Sequence, residues 1–224
     1  MHLGLIGGTG PAATLKYYAG LCAAMAEHDK ALRATIAHMD IKESRRLAEA
    51  GDTATAAQNL SERIADLKAA GAEVAVLTAI SGHAILDQVQ ALSPLPIASV
   101  LPALSAYVAR EGLGRVGIIG SGVAMDTRAM GAFDAIETVI PENPALRAEV
   151  SRSYFEMAVA RHCTKAQRDL FFDAGRHLVD EHGAEAVLLG GTDLCLAFDG
   201  HNPGYRTIDA IDVHVADLAT KSLK

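Results

Sequence analysis

The stretch GAEVAVLTAISGH at residues 71–83 and the stretch GAEAVLLGGTDL at residues 183–194 decide the fold. Each opens with Gly-Ala-Glu, continues through a run of branched or small apolar residues, and closes in a cluster of small polar ones. An uninterrupted apolar run of this length predicts a buried parallel strand. Because ligands of open α/β sheets bind beyond the carboxyl ends of the strands, we expect functional residues at 78–83 and 190–193.

A second pair of similar stretches extends this pattern into an internal repeat. LGLIGGTGP occupies residues 3–11, and VGIIGSGVA occupies residues 116–124. Counted between matching glycines, these stretches precede the two strands above by 67 and 66 residues. Two elements that recur in one order at nearly one spacing predict two similar α/β lobes, each with a mainly parallel sheet flanked by helices, and a ligand cleft between the lobes. We place the first lobe at residues 1–98 plus 208–224, and the second at residues 99–207.

Composition restricts the class of protein. Half of the 224 residues are apolar and 21% are charged, which is typical of a globular protein with a substantial core. The net charge of −7 argues against nucleic-acid binding, and no apolar stretch approaches the roughly 20 residues of a membrane span. The N-terminus has no basic segment of a signal peptide. The widely spaced Cys22, Cys163 and Cys195 predict a reducing, cytoplasmic location without disulfides.

The glycine-rich turn after the first strand predicts an anion site. Gly8, Thr9 and Gly10 let the backbone approach a ligand, and a helix that starts at Pro11 directs amides towards an anion. The turn departs from the dinucleotide fingerprint because Ala13 stands where a third glycine is usual, although an alanine variant leaves cofactor binding open. The helix predicted to follow, at residues 12–28, places these side chains on one face: Leu15, Tyr18, Leu21, Cys22 and Met25.

Two arginines follow in a polar segment. Arg45 could bind a substrate carboxylate bidentately, and the alternative is that Arg45 and Arg46 lie on a solvated helix face.

In their order, these motifs resemble the aspartate/glutamate racemase superfamily, and most closely its aspartate racemase branch. The sequence at residues 6–14 is similar to the opening turn of that family. Residues 71–90 and 183–194 resemble the two segments that carry its catalytic cysteines, and Asp209 to His214 resembles its final Asp-x-x-x-x-His motif. The resemblance implies a cofactor-independent enzyme, a homodimer, whose two thiols flank the α-carbon of a small carboxylate substrate.

Both thiols are missing from this chain. Alignment on the family motifs puts Ala79 at the first cysteine position and Gly191 at the second, and the internal repeat independently pairs the same two residues. Neither side chain can accept or donate a proton. The ordinary two-thiol racemisation is therefore excluded unless other groups have replaced the cysteines.

Few titratable residues near these positions can take over proton transfer. We predict Asp193, His83 and His214, because imidazoles and carboxylates are the usual acid–base groups near neutral pH. The alternatives are that His83 is a capping or core residue, that Asp193 caps a helix, and that Cys195 is core rather than a displaced thiol. No spacing supports a metal site. The predicted substrate-binding residues are Gly8, Thr9, Gly10, Arg45, Thr78, Ser81, Ser121 and Thr192.

Three functions fit these residues. The leading hypothesis is a divergent, cofactor-independent isomerase or epimerase that acts next to the carboxylate of a small acid with non-cysteine groups. A second is a catalytically inactive carboxylate-binding or sensor protein. A third is a decarboxylase, lyase or hydrolase on the same fold. We expect a small carboxylate as ligand, a homodimer, and neither nucleic acid nor membrane as partner.

Overall fold

The computed structural model describes residues 1–223 and divides the chain into two compact units. The first unit comprises Met1–Ser99 and the chain from His214 onward, and the second comprises Val100–Val213. The boundary that we placed between residues 207 and 208 falls inside a strand, Thr207–Asp209, which pairs wholly within the second unit. The chain thus leaves the second unit a few residues later than the sequence indicated.

The first unit is built on a four-stranded sheet with the order β2-β1-β3-β4, and each of its neighbouring strand pairs is parallel. Its elements are β1 (Leu3–Gly7), α1 (Pro11–Ala26), β2 (Ala34–His38), α2 (Ile41–Ala50), α3 (Thr53–Ala69), β3 (Val74–Leu77), a 3-10 helix (Ile80–Ile85), α4 (Leu86–Leu92) and β4 (Ile97–Ala98). Each residue of β1 and β3 is buried, as the continuous apolar runs predict.

The second unit repeats this arrangement with the order β6-β5-β7-β8, again with parallel pairing. Its elements are α5 (Val100–Arg110), β5 (Arg115–Gly120), α6 (Gly122–Asp126), a 3-10 turn (Ala129–Gly131), β6 (Glu137–Val139), α7 (Pro144–Ala160), α8 (Lys165–Asp180), β7 (Ala186–Gly190), a 3-10 turn (Thr192–Leu194), α9 (Cys195–Phe198) and β8 (Thr207–Asp209). The last helix, α10 (Ala210–Ser222), starts in this unit and continues into the first.

Strand register follows the sequence repeat. Gly4 lies opposite Ala75 between β1 and β3, and the matching Gly117 lies opposite Val187 between β5 and β7. Both glycines face a helix closely, since a Cβ on Gly4 would lie 3.0 Å from the Leu67 side chain. The predicted α/β fold class, with two similar parallel sheets flanked by helices, is therefore confirmed.

Helix ends are set by local chemistry. The Asp40 carboxylate accepts hydrogen bonds from the backbone amides of Lys42 and Glu43 and so caps α2, and these bonds, chiefly that from Glu43, lower the pKa of Asp40. Thr164 and Gln167 form a capping box at the start of α8. Within residues 1–223, no helix is both long and apolar enough to cross a membrane.

The predicted buried face of α1 was partly wrong. Leu21 and Met25 are buried as expected, but Leu15 is 71% exposed and Tyr18 is 48% exposed. The buried face instead includes Ala13, Thr14 and Tyr17. Apolar residues surround this helix on all sides, so periodicity did not identify the face that meets the sheet.

Candidate functional site

Glycine is required where β1 turns into α1. Gly8 has a φ of +93°, and a Cβ at this position would approach the Met39 carbonyl oxygen and lie 2.5 Å from the His38 ring. A side chain at position 8 would therefore strain the backbone and would also clash with the residues at the end of β2. The turn holds the chain close to the carboxyl ends of β1 and β2, where α/β sheets bind ligands.

Buried hydroxyls fix this turn to the sheet. The Thr14 hydroxyl donates to the Gly10 carbonyl at 2.8 Å and accepts from the Gly8 amide at 3.1 Å. The Thr78 hydroxyl donates to the Ile6 carbonyl at 2.8 Å and lies 3.2 Å from the Thr14 hydroxyl. Thr78, predicted to bind substrate, is fully buried and stabilises the backbone instead.

The start of α1 suits an anion. Its N-cap residue, Gly10, makes no side-chain cap, Pro11 occupies the first turn, and that turn contains no acidic residue. No acidic side chain of the first turn therefore lies beside the positive end of the helix dipole. Thr9 in this turn and Ser81 after β3 are both partly exposed and therefore accessible to a ligand.

The two predicted catalytic histidines are buried in the first unit. His83 is 3% exposed, and its Nδ1 lies 3.1 Å from the Ile80 carbonyl oxygen. His214 is fully buried, and its Nδ1 shares a hydrogen bond of 2.9 Å with the Tyr17 hydroxyl. Burial lowers the pKa of His83 to about 4 and that of His214 to about 3, the latter also because His83 and Lys221 are near. Both imidazoles are therefore neutral at physiological pH.

Arg45 belongs to the surface of α2. Its Nε pairs with the Glu49 carboxylate at 2.6 Å, one helical turn away, and its side chain is 38% exposed. This geometry matches the solvated helix face that was the alternative to substrate binding.

In the second unit, Ser121 is also committed to the backbone. Its hydroxyl donates to the Gly190 carbonyl at 3.0 Å and accepts from the Ala124 amide at 3.2 Å, which caps α6. Gly120, with a φ of +132°, brings β5 so close to β7 that a Cβ would lie 2.7 Å from the Gly191 nitrogen. Ser121 thus joins two strand ends and is 1% exposed.

The two positions of the missing thiols are locally equivalent. Ala79 and Gly191 each have extended backbone and each immediately precede a 3-10 segment that follows a central strand. In both units the chain thus leaves the sheet in the same way at this point.

Tyr154 of α7 fills the space that the side chain of residue 191 would occupy, and no sequence pattern indicates this contact. A Cβ built on Gly191 would lie 2.5 Å from Cζ and 2.9 Å from Cδ2 of the Tyr154 ring, far inside contact distance. Tyr154 precedes Gly191 by 37 residues, and its helix places it there only once the unit has folded. A cysteine at position 191 is therefore incompatible with this ring position.

The Tyr154 hydroxyl lies in a polar environment. The main chain of Asp193 hydrogen-bonds to it, and the side chain of Thr192 lies beside it. Burial, reinforced by the Asp193 carboxylate, raises the pKa of Tyr154 well above its ordinary value. Asp193 is itself fully buried and Thr192 is 3% exposed. The strand end of the second unit thus brings together Tyr154, Thr192 and Asp193.

In the described part of the chain, no three His, Cys, Asp or Glu side chains form a group that could hold a metal ion. Cys22, Cys163 and Cys195 are not joined in disulfides.

Comparison with known proteins identifies relatives over the whole chain. The model of the Asp/Glu/Hydantoin racemase family matches residues 6–218. A crystal structure of a Yersinia pestis protein with a provisional Asp/Glu racemase assignment has a TM-score of 0.81 and 24% identity, with all of both chains covered. The crystal structure of an aspartate racemase homologue from Pyrococcus horikoshii has a TM-score of 0.78 and 23% identity, and the match covers 100% of this chain and 99% of that one.

A more distant structure is glutamate racemase from Francisella tularensis in complex with D-glutamate. It is 14% identical with a TM-score of 0.65, and the match covers 99% of this chain and 80% of that one. At these identities the solved structures show a shared fold, and the family model carries the assignment.

Proposed function

Because the chain belongs to the Asp/Glu/Hydantoin racemase family, we propose that it is an isomerase that acts at the carbon next to the carboxylate of a small acid. It works without a cofactor and without the thiol pair, since positions 79 and 191 hold Ala and Gly. His83 and Asp193 are the proposed bases, and His214 is the third candidate. Family resemblance also supports a homodimer, and the few, widely spaced cysteines support a reducing, cytoplasmic location.

The observation that carries this proposal is the opening turn of the first unit. Gly8 makes the close backbone approach to β2, and α1 begins without an acidic residue in its first turn. Thr9 and Ser81 add partly exposed hydroxyls. Amides, a helix dipole and hydroxyls together favour a carboxylate, and each hydrogen bond to a charged group contributes about 1.5–3 kcal/mol.

Proton removal from such a carbon requires an unprotonated base. The low pKa of His83, which burial causes, keeps its imidazole neutral and able to accept a proton at pH 7. Asp193 stands beside the position of the second thiol, two residues after Gly191. A carbanion next to a carboxylate also needs stabilisation by nearby donors, which hydroxyls and amides supply.

The proposal is tested by proton exchange. The protein is incubated in deuterated water with a panel of racemic small acids (lactate, malate, alanine and serine), and the α-proton signal is followed by NMR. We expect enzyme-dependent loss of that signal for at least one acid, and substitution Asp193→Asn or His83→Gln should slow it strongly. If the protein binds an acid of the panel but exchanges no α-proton, the proposed isomerase activity is refuted.

A carboxylate-binding protein without turnover is the second candidate, and one observation favours it. Asp193, His83 and His214 are each no more than 3% exposed, although a group that moves a proton must touch its substrate. In that case Asp193→Asn has no turnover to remove and alters affinity alone, whereas Ser81→Ala, which removes a partly exposed hydroxyl, weakens carboxylate binding under either function.

A further inference from the structure

Tyr154 reaches the strand end of the second unit because of the face on which α7 packs. The buried side of this helix is formed by Val150, Ser153, Tyr154 and Met157, which are spaced as one helical stripe. On the same helix the Ser151 hydroxyl accepts a hydrogen bond of 2.9 Å from the Gly122 amide. One helix therefore contacts the loops after both β5 and β7, and the ring has a fixed position.

The side chain that fills this space is polar where an apolar one would suffice. Leu or Phe would also close the gap left by Gly191, but neither would bring a proton donor there. The Tyr154 hydroxyl meets the main chain of Asp193 and the side chain of Thr192, the two residues that directly follow the missing thiol. The phenol thus stands in the same local surroundings that residue 191 would offer to a thiol.

We propose that Tyr154 is a catalytic residue whose hydroxyl donates a proton to the carbon next to the substrate carboxylate, in place of the thiol absent from position 191. The inference rests on the proposed function. The α-proton passes to the base of that reaction, and the electron pair stays on carbon. The Oη–H bond of Tyr154 then breaks as the new C–H bond forms, and the resulting phenolate recovers a proton from water.

A phenol in this position serves one face of the substrate carbon. Because burial raises the pKa of Tyr154 well above its ordinary value, the hydroxyl is protonated at neutral pH and can donate to a carbanion, which is far more basic. By microscopic reversibility, its phenolate removes that proton again in the reverse step. The phenol delivers each proton from its own side and the base delivers each proton from the opposite side, so in deuterated water each of the two groups labels one enantiomer.

The test compares the parent protein with Tyr154→Phe, which keeps the ring and removes only the hydroxyl. Racemic lactate, malate, alanine and serine are incubated in deuterated water, and chiral chromatography with mass spectrometry gives the deuterium content of each enantiomer. The matched control is Tyr205→Phe. Tyr205 is a half-buried tyrosine of the same unit, which packs on Gly175 of α8 and whose hydroxyl lies 3.4 Å from the Phe171 carbonyl oxygen. Circular dichroism confirms that each variant is folded.

The expected result has two parts. The parent and Tyr205→Phe label both enantiomers of at least one acid, and Tyr154→Phe labels one of the two at least 100-fold more slowly, as for loss of a general acid. The other enantiomer is still labelled, because the base on the opposite side of the carbon removes its proton and returns a deuteron. A purely structural role would slow the labelling of both enantiomers alike.

Other results overturn the proposal. If the parent labels both enantiomers of an acid and Tyr154→Phe labels both at the parent rates, Tyr154 is not the donor and the proposed isomerase stands. If the parent labels none of the acids, the proposed function fails and the role of Tyr154 fails with it. Should Tyr154→Phe not fold, Gly191→Ala replaces it, since its Cβ would displace the ring. Unchanged labelling rates of both enantiomers in that variant again exclude Tyr154.

Discussion

Replacing Gly191 by Cys restores the residue type of the family but should destabilise the second unit. The new Cβ would lie 2.5 Å from Cζ of the Tyr154 ring, so the ring or the strand end must move. Overpacking of a core costs about 1–3 kcal/mol. Tyr154→Ala alone should cost about 3–5 kcal/mol, because it removes a ring that is only 7% exposed and leaves a cavity.

The double variant should be more stable than the sum of its parts. With the ring absent, the cysteine side chain enters space that is already empty, so its overpacking cost disappears and it fills part of the cavity. We expect a coupling of about 1–3 kcal/mol between the two substitutions, within the range for side chains in contact.

Urea denaturation at 25 °C of the parent, both single variants and the double variant measures this coupling from the free energies of unfolding. The control cycle pairs Gly191→Cys with Tyr205→Ala, because Tyr205 packs on Gly175 instead. The control should be additive within about 0.3–0.5 kcal/mol. If the Tyr154 cycle is equally additive, the ring does not occupy the place of the second thiol.

Three further predictions concern activity, local stability and pH. Aspartate and glutamate should not lose their α-protons at ordinary enzyme rates in deuterated water, and rapid exchange of either by the parent would show that the thiols are dispensable for the family reaction. Ser121→Ala should lower the free energy of unfolding by about 1–2 kcal/mol in a urea titration, since it removes a helix cap and a bond to Gly190; an unchanged midpoint would contradict that role. Stability should fall as pH drops from about 6.5 towards 4, because unfolding lets His83 and His214, whose pKa values burial lowers to about 4 and 3, bind protons. Each contributes a slope of about 1.4 kcal/mol per pH unit, which His83→Gln should roughly halve in urea midpoints measured across that range.

Much of the fold could be predicted from sequence because it depends on short local patterns. The two Gly-Ala-Glu strands and the two glycine turns occur at one spacing, and the structure gives them equivalent registers in two parallel sheets. The α1 face was misjudged because Leu15 and Tyr18 are apolar yet exposed, and periodicity cannot separate two apolar sides of one helix.

The site was less predictable because hydroxyl groups have several possible partners. Thr78 and Ser121 stood at strand ends as substrate ligands would, but both donate to carbonyl oxygens of neighbouring strands. Tyr154 could not be recognised as a site residue from the sequence. Its position becomes significant only through the contact between its ring on α7 and Gly191 at the end of β7. The absence of a side chain at Gly191 is visible in the sequence, whereas the side chain that replaces it is visible only in three dimensions.

We expect this chain to move a proton at carbon without cysteine, and a cysteine-free variant provides the decisive test of that claim. Cys22→Ser, Cys163→Ser and Cys195→Ala are combined, and α-deuteration of lactate, malate, alanine and serine is compared with that of the parent by NMR. We predict that the parent deuterates at least one acid and that the variant does so within about threefold of the parent rate, a difference below 1 kcal/mol. Loss of activity in a folded variant, or no deuteration by the parent, would contradict the claim.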